Sequence, residues 1–67
     1  MKFKIENKTT GKSRVLAYQN NYHTMYEYLL NHYNIDEETA IEIDSWSELA
    51  TIDEQYETDE LIITCVD

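Results

Sequence analysis

The sequence predicts a small α+β fold: an antiparallel or mixed sheet with two helices on one face, in the order β-β-α-β-α-β. Three patterns lead there. The first residues alternate polar and apolar, a middle stretch repeats its apolar residues at helical spacing, and the last residues form a nearly continuous β-prone run. With 67 residues the chain has room for one compact acidic domain, 1–67. A chain so short buries only about 60% of its unfolded surface, so one small core is all it can build.

Each element has its own signal. Lys2-Phe3-Lys4-Ile5-Glu6 reads as a half-buried strand with Phe3 and Ile5 inward. Asn7 to Lys12 is polar, holds the only glycine, Gly11, and reads as a hairpin loop. Ser13 to Tyr18 gives a second strand, with Val15 and Ala17 on one face and Leu16 and Tyr18 on the other. Asn20 or Asn21 can cap a helix, and Thr24-x-x-Glu27 spells a capping box. Tyr22, Met25, Tyr26, Leu29, Leu30 and Tyr33 recur at helical spacing and predict a helix over 22–33, with Asn34 as a left-handed residue ending it. Ile35 to Thr39 reads as an acidic turn, and Ala40 to Asp44 as a short strand with Ile41 and Ile43 inward. Ser45-x-x-Glu48 is a second capping box, followed by a helical stripe through Trp46, Leu49, Ile52 and Tyr56. Leu61 to Val66 predicts a buried central strand.

The charge is divided along the chain. All five bases (Lys2, Lys4, Lys8, Lys12 and Arg14) precede Val15, and the residues from Val15 onward carry thirteen carboxylates with no Lys or Arg. The net charge of -9 lies just beyond the range of about 2 to 8 that serves solubility in small domains. A single-sign field opposes compaction by self-repulsion, which a surface of interspersed signs avoids. Direct binding to nucleic acid is disfavoured, because affinity for phosphates comes from Lys and Arg releasing counterions.

Catalytic chemistry finds little footing. His23 and His32 are nine positions apart, on opposite sides of the expected helix, and do not form a metal pair. Cys65 stands in an apolar strand with no basic neighbour in sequence, which leaves a buried, inert thiol. The acidic runs lack the loop glycine and ligand spacing of a calcium site. No catalytic residue, metal or cofactor is expected. Paired carboxylates for acid/base work would need a cleft that so short a chain hardly forms. No apolar run approaches the roughly 20 residues of a membrane span. The absence of a signal-peptide pattern leads to the expectation of a cytoplasmic protein. The Ile/Asn/Tyr/Lys-rich, proline-free composition points to a low-GC bacterium or its phage.

One local string carries a resemblance. Asp44-Ser45-Trp46, followed by Ser47-Glu48-Leu49, resembles the Asp-Ser-Leu start of the second helix in acyl carrier proteins, which are also short and acidic. The resemblance covers about six residues and implies phosphopantetheine attachment at Ser45. Trp46 stands where those proteins have Leu, and their all-helical fold departs from the strands expected here. Ser45 also reads simply as a helix N-cap.

The functional expectation rests on charge. Acids one helical turn apart repeat charge about every 6 Å, a spacing that competes with nucleic-acid phosphates for an Arg/Lys groove. Asp44 with Glu48 and Asp53 with Glu57 have that spacing. Glu42 and Asp44 would add a row on the outer strand face, and Asp36, Glu37, Glu38 and Glu54 would extend the patch. Tyr28 and Trp46 are the candidate aromatic anchors, since aromatics dominate interface hot spots. The expected activity is a non-enzymatic inhibitor that binds the basic, nucleic-acid-binding surface of a nuclease or a restriction or CRISPR effector. The profile is similar, as a strategy, to anti-restriction and anti-CRISPR proteins and uracil-glycosylase inhibitors. The rival expectation is a homodimeric interaction module built on an exposed strand edge and the surplus aromatics.

Overall fold

The computed structural model describes residues 1–17 and 24–67. The chain divides into two compact units, Met1–Gln19 with Ala50–Asp67, and Asn20–Leu49. The first holds a four-stranded sheet and the second a pair of helices.

In the sheet unit, β1 (Lys2–Asn7) and β2 (Ser13–Ala17) form the expected hairpin, and β3 (Gln55–Glu57) and β4 (Leu61–Cys65) form a second one. The order is β2-β1-β4-β3, and every pairing is antiparallel. Phe3 stands opposite Cys65, Ile5 opposite Ile63 and Asn7 opposite Leu61, so the buried apolar residues of both central strands share one face. Leu16, opposite Phe3, and Tyr56, opposite Ile63, continue that face at half burial on the two edge strands. Val15, opposite Lys4, belongs to the other face and is exposed.

The turns explain themselves locally. Asn7 Oδ1 accepts the amides of Thr9 (2.9 Å) and Thr10 (3.1 Å), an Asx turn. Gly11 donates its amide to Asn7 O at 2.8 Å and sits at φ 75°, the left-handed region that glycine enters without steric cost. Lys8 then ties this loop to the β3–β4 turn. Its Nζ pairs with the Glu57 carboxylate and donates to Thr58 O at 3.0 Å, while its backbone amide donates to Glu60 O at 2.8 Å.

In the helical unit, α1 spans Thr24–His32 and buries Met25 and Leu29. Tyr33 donates its amide to Leu29 O at 3.0 Å at the end of α1. Asn34 does not take the left-handed conformation expected of it: among the described residues Asp53 is the one non-glycine at positive φ. The helix α2 spans Glu37–Leu49 and buries Ala40, Ile43 and Ser47. The Tyr18 end of the second strand, the Asn20 and Asn21 caps, Tyr22 and His23 lie outside the described residues.

The α+β class is as expected and the sheet, antiparallel or mixed in the expectation, is antiparallel, but the element order is β-β-α-α-β-β. The 40–44 segment is helix, not strand. Ile41 and Ile43 fit a two-residue alternation, yet Ile43 is buried and Ile41 is 52% exposed. The inward stripe is Ala40-Ile43-Ser47, a helical period that Ser47 conceals because it is polar. Its hydroxyl donates to Asp44 O at 2.7 Å, which satisfies it inside the helix. The acidic turn of 35–39 is largely the start of α2, where Asp36 O accepts the Ala40 amide at 3.0 Å. Carboxylates belong there, because the helix dipole places positive charge at the N-terminus.

The expected helix through Tyr56 also fails. Helix α2 ends at Leu49, and Thr51 to Glu54 turn back on themselves. Glu54 Oε1 accepts both the amide (3.0 Å) and the hydroxyl (2.8 Å) of Thr51, whose carbonyl accepts the Glu54 amide at 3.0 Å. Asp53 takes φ 75°, a conformation that Asp tolerates better than most residues. This local polar closure outcompetes the helical stripe, and β3 begins at Gln55.

Candidate functional site

The candidate site is the acidic surface, and the two units divide it unequally. Each holds seven carboxylates, but all five bases belong to the sheet unit. The expected partner-binding residues divide accordingly. Tyr28, Asp36, Glu37, Glu38, Glu42, Asp44, Trp46 and Glu48 lie in the helical unit, and Asp53, Glu54 and Glu57 in the sheet unit.

Several of these acids have structural work. The Tyr26 hydroxyl donates to Glu37 Oε1 at 2.9 Å. That bond, then desolvation, then the charges of Glu37 and Glu27, raise the Tyr26 phenol above its ordinary 10.0. Asp44 Oδ1 accepts the Tyr26 amide at 3.3 Å. Tyr26 is the third residue of α1, so this amide is one that the helix leaves without an internal partner. Asp44 therefore caps the start of α1 from the neighbouring helix. It is half-buried and belongs to no outer strand row.

The sheet-unit acids do not form a helical row. Asp53 sits in the turn at positive φ, Glu54 holds Thr51, and Glu57 lies in β3 paired with Lys8. The expected Asp53/Glu57 spacing of one helical turn is thus absent. The Asp44/Glu48 spacing survives, and α2 adds a second such pair, Glu38 and Glu42. Glu38, Glu42 and Glu48 are all exposed.

The aromatic anchors are less open than expected. Tyr28 is half-buried, with its ring 4.3 Å from His32 and 6.1 Å from Tyr33 between centroids. Trp46 is half-buried as well. Three of the apolar side chains that do stand out, Ile41 (52%), Ile52 (63%) and Leu49 (86%), are ones that the sequence pattern directs inward. The signal that could have separated them is the Ala40-Ile43-Ser47 stripe, which leaves Ile41 and Leu49 on the far side of α2.

Ser45 is the ninth residue of α2 and exposed, so it caps no helix start and does not occupy the helix-opening place that the carrier-protein resemblance implies. Cys65 is buried, with Sγ 3.9 Å from both Ala50 O and Asp67 O. Among the described residues no three of His, Cys, Asp and Glu converge in a way that would hold a metal ion. No described helix is long and apolar enough to cross a membrane. Compared with protein-family models, with curated proteins and with solved structures, the chain has no match in any of the three.

Proposed function

We propose that the chain is a small non-enzymatic binding protein whose helical unit engages a basic, nucleic-acid-binding surface on another protein and blocks it by imitating phosphate charge. The single observation that carries this reading is the helical unit's seven carboxylates with no Lys or Arg. Local structure accounts for only some of them. Asp36, Glu37 and Glu38 suit the N-terminus of α2, and Asp44 caps α1. Glu48 lies in the last turn of α2, beside the negative end of the dipole and one turn from Asp44. Each of those two placements costs a few tenths of a kcal/mol or more (about 0.2–1). A charge kept where folding disfavours it fits selection by a partner.

The test is capture from a nuclease-treated bacterial lysate, at low salt and at about 0.5 M salt, where surface attraction is screened. The wild-type chain is expected to retain a basic nucleic-acid-binding protein at low salt and to release it at high salt. The variant with Glu38→Lys, Glu42→Lys and Glu48→Lys is expected to retain none. Capture that survives this triple change refutes the proposal. A homomeric module is the second reading, favoured by the β2 edge with exposed Val15. It predicts salt-insensitive self-association in size-exclusion chromatography.

A further inference from the structure

Beyond charge, the outer face of α2 carries two exposed aliphatic side chains, Ile41 and Leu49. Ile41, Ser45 and Leu49 follow one another four residues apart, so they stack in one row about 12 Å long. All three are exposed, Ile41 at 52% and Leu49 at 86%. The residues three positions before Ile41 and Ser45 are Glu38 and Glu42; those three positions after are Asp44 and Glu48. Glu38 and Glu42 flank the row on one side; on the other stand the exposed Glu48 and the half-buried Asp44, whose carboxylate caps α1. A row with a large aliphatic side chain at each end, a small serine between them and a charged border on both sides has the anatomy of an interface centre and rim.

We infer that this face docks a basic amphipathic helix of the partner, one with an apolar stripe flanked on both sides by Lys or Arg. This deepens the proposed function and rests on it. Charge complementarity selects the occupant. A second copy on the same face would set Glu38, Glu42 and Glu48 against their own counterparts, a like-charge juxtaposition that resists pairing. A nucleic acid is repelled outright. A purely charged groove leaves Ile41 and Leu49 in water, whereas the helix removes both.

The test uses the isotope-labelled full chain and two synthetic peptides of identical Leu/Lys composition. One carries its leucines on a single helical face, and the other has them scrambled. The amphipathic isomer is expected to bind at least about tenfold tighter, the worth of burying one or two large aliphatic side chains. Its amide shifts should centre on Ile41, Ser45 and Leu49. The double variant Ile41→Ser, Leu49→Ser, with its helical circular dichroism unchanged, should lose that preference and bind both isomers alike. Equal binding of the two isomers by the wild type overturns the docking face while leaving charge attraction intact. Binding of neither isomer also overturns it, and the charge-reversal capture then decides the proposed function separately. Sedimentation showing a wild-type dimer that the double variant abolishes assigns the face to a second copy instead and overturns the inference.

Discussion

The sheet unit and the helical unit carry the same number of acids and handle them differently. In the sheet unit, Glu57 pairs with Lys8 and Glu54 closes a turn on Thr51. In the helical unit, Glu37 accepts a hydrogen bond from the Tyr26 hydroxyl and Asp44 accepts one from the Tyr26 amide. A dipole satisfies an oxygen but leaves the charge in place. Net charge along a chain therefore says where the field originates, and pairing with a cation, as at Glu57 and Lys8, decides where it is neutralised.

The contrast can be broken at several points. The largest effect is expected at Ile63, fully buried between Ile5 and Tyr56 in the register. Ile63→Ala should remove about 2–5 kcal/mol, a large part of the roughly 3–10 kcal/mol available to a chain of this size. Loss of amide-exchange protection at Phe3 and Ile5 would register it. Next is Asp44→Ala, which uncaps α1 and should cost about 1 kcal/mol in urea unfolding; retained stability would deny Asp44 its capping role. Glu48→Lys should act in the opposite direction, raising stability by about 0.3–1 kcal/mol in the same measurement, because it reverses an unfavourable charge in the last turn of α2. A stabilised variant that no longer binds would locate function and folding in conflict at one residue.

The smallest effect concerns pH. The Tyr26 phenol is raised in the fold, so the folded state holds its proton more tightly than the unfolded chain. The resulting stabilisation is fully present below the ordinary tyrosine range and is lost as pH climbs through the raised folded value. Alkaline unfolding followed by circular dichroism should lose that component in Tyr26→Phe.

Much of the sheet was legible because its chemistry is alternation. Phe3 and Ile5, each between charged residues, and the Leu61–Cys65 run are found where the pattern places them. Helix α1 was legible through Met25 and Leu29. Helix α2 was not, because a buried serine breaks its apolar period and two isoleucines two apart imitate a strand. The turn at Thr51–Glu54 was hidden for a different reason: its stability lies in side-chain hydrogen bonds that no hydropathy pattern records. For the candidate site, residue types identified the acids, but only geometry separated those that cap and pair from those that face outward.

The pairing of β1 with β4 sets a schedule. Phe3 meets Cys65 only after the whole helical unit has been synthesised between them. At 5–20 residues per second, β1 is exposed for roughly 3–11 s before β4 follows it from the ribosome. Its free edge is a template for wrong pairing throughout that interval. Lys2 and Lys4, on its uncovered face, put charge on that waiting edge. Charge at Lys2 and Lys4 thus disfavours edge-to-edge pairing of β1 before β4 arrives.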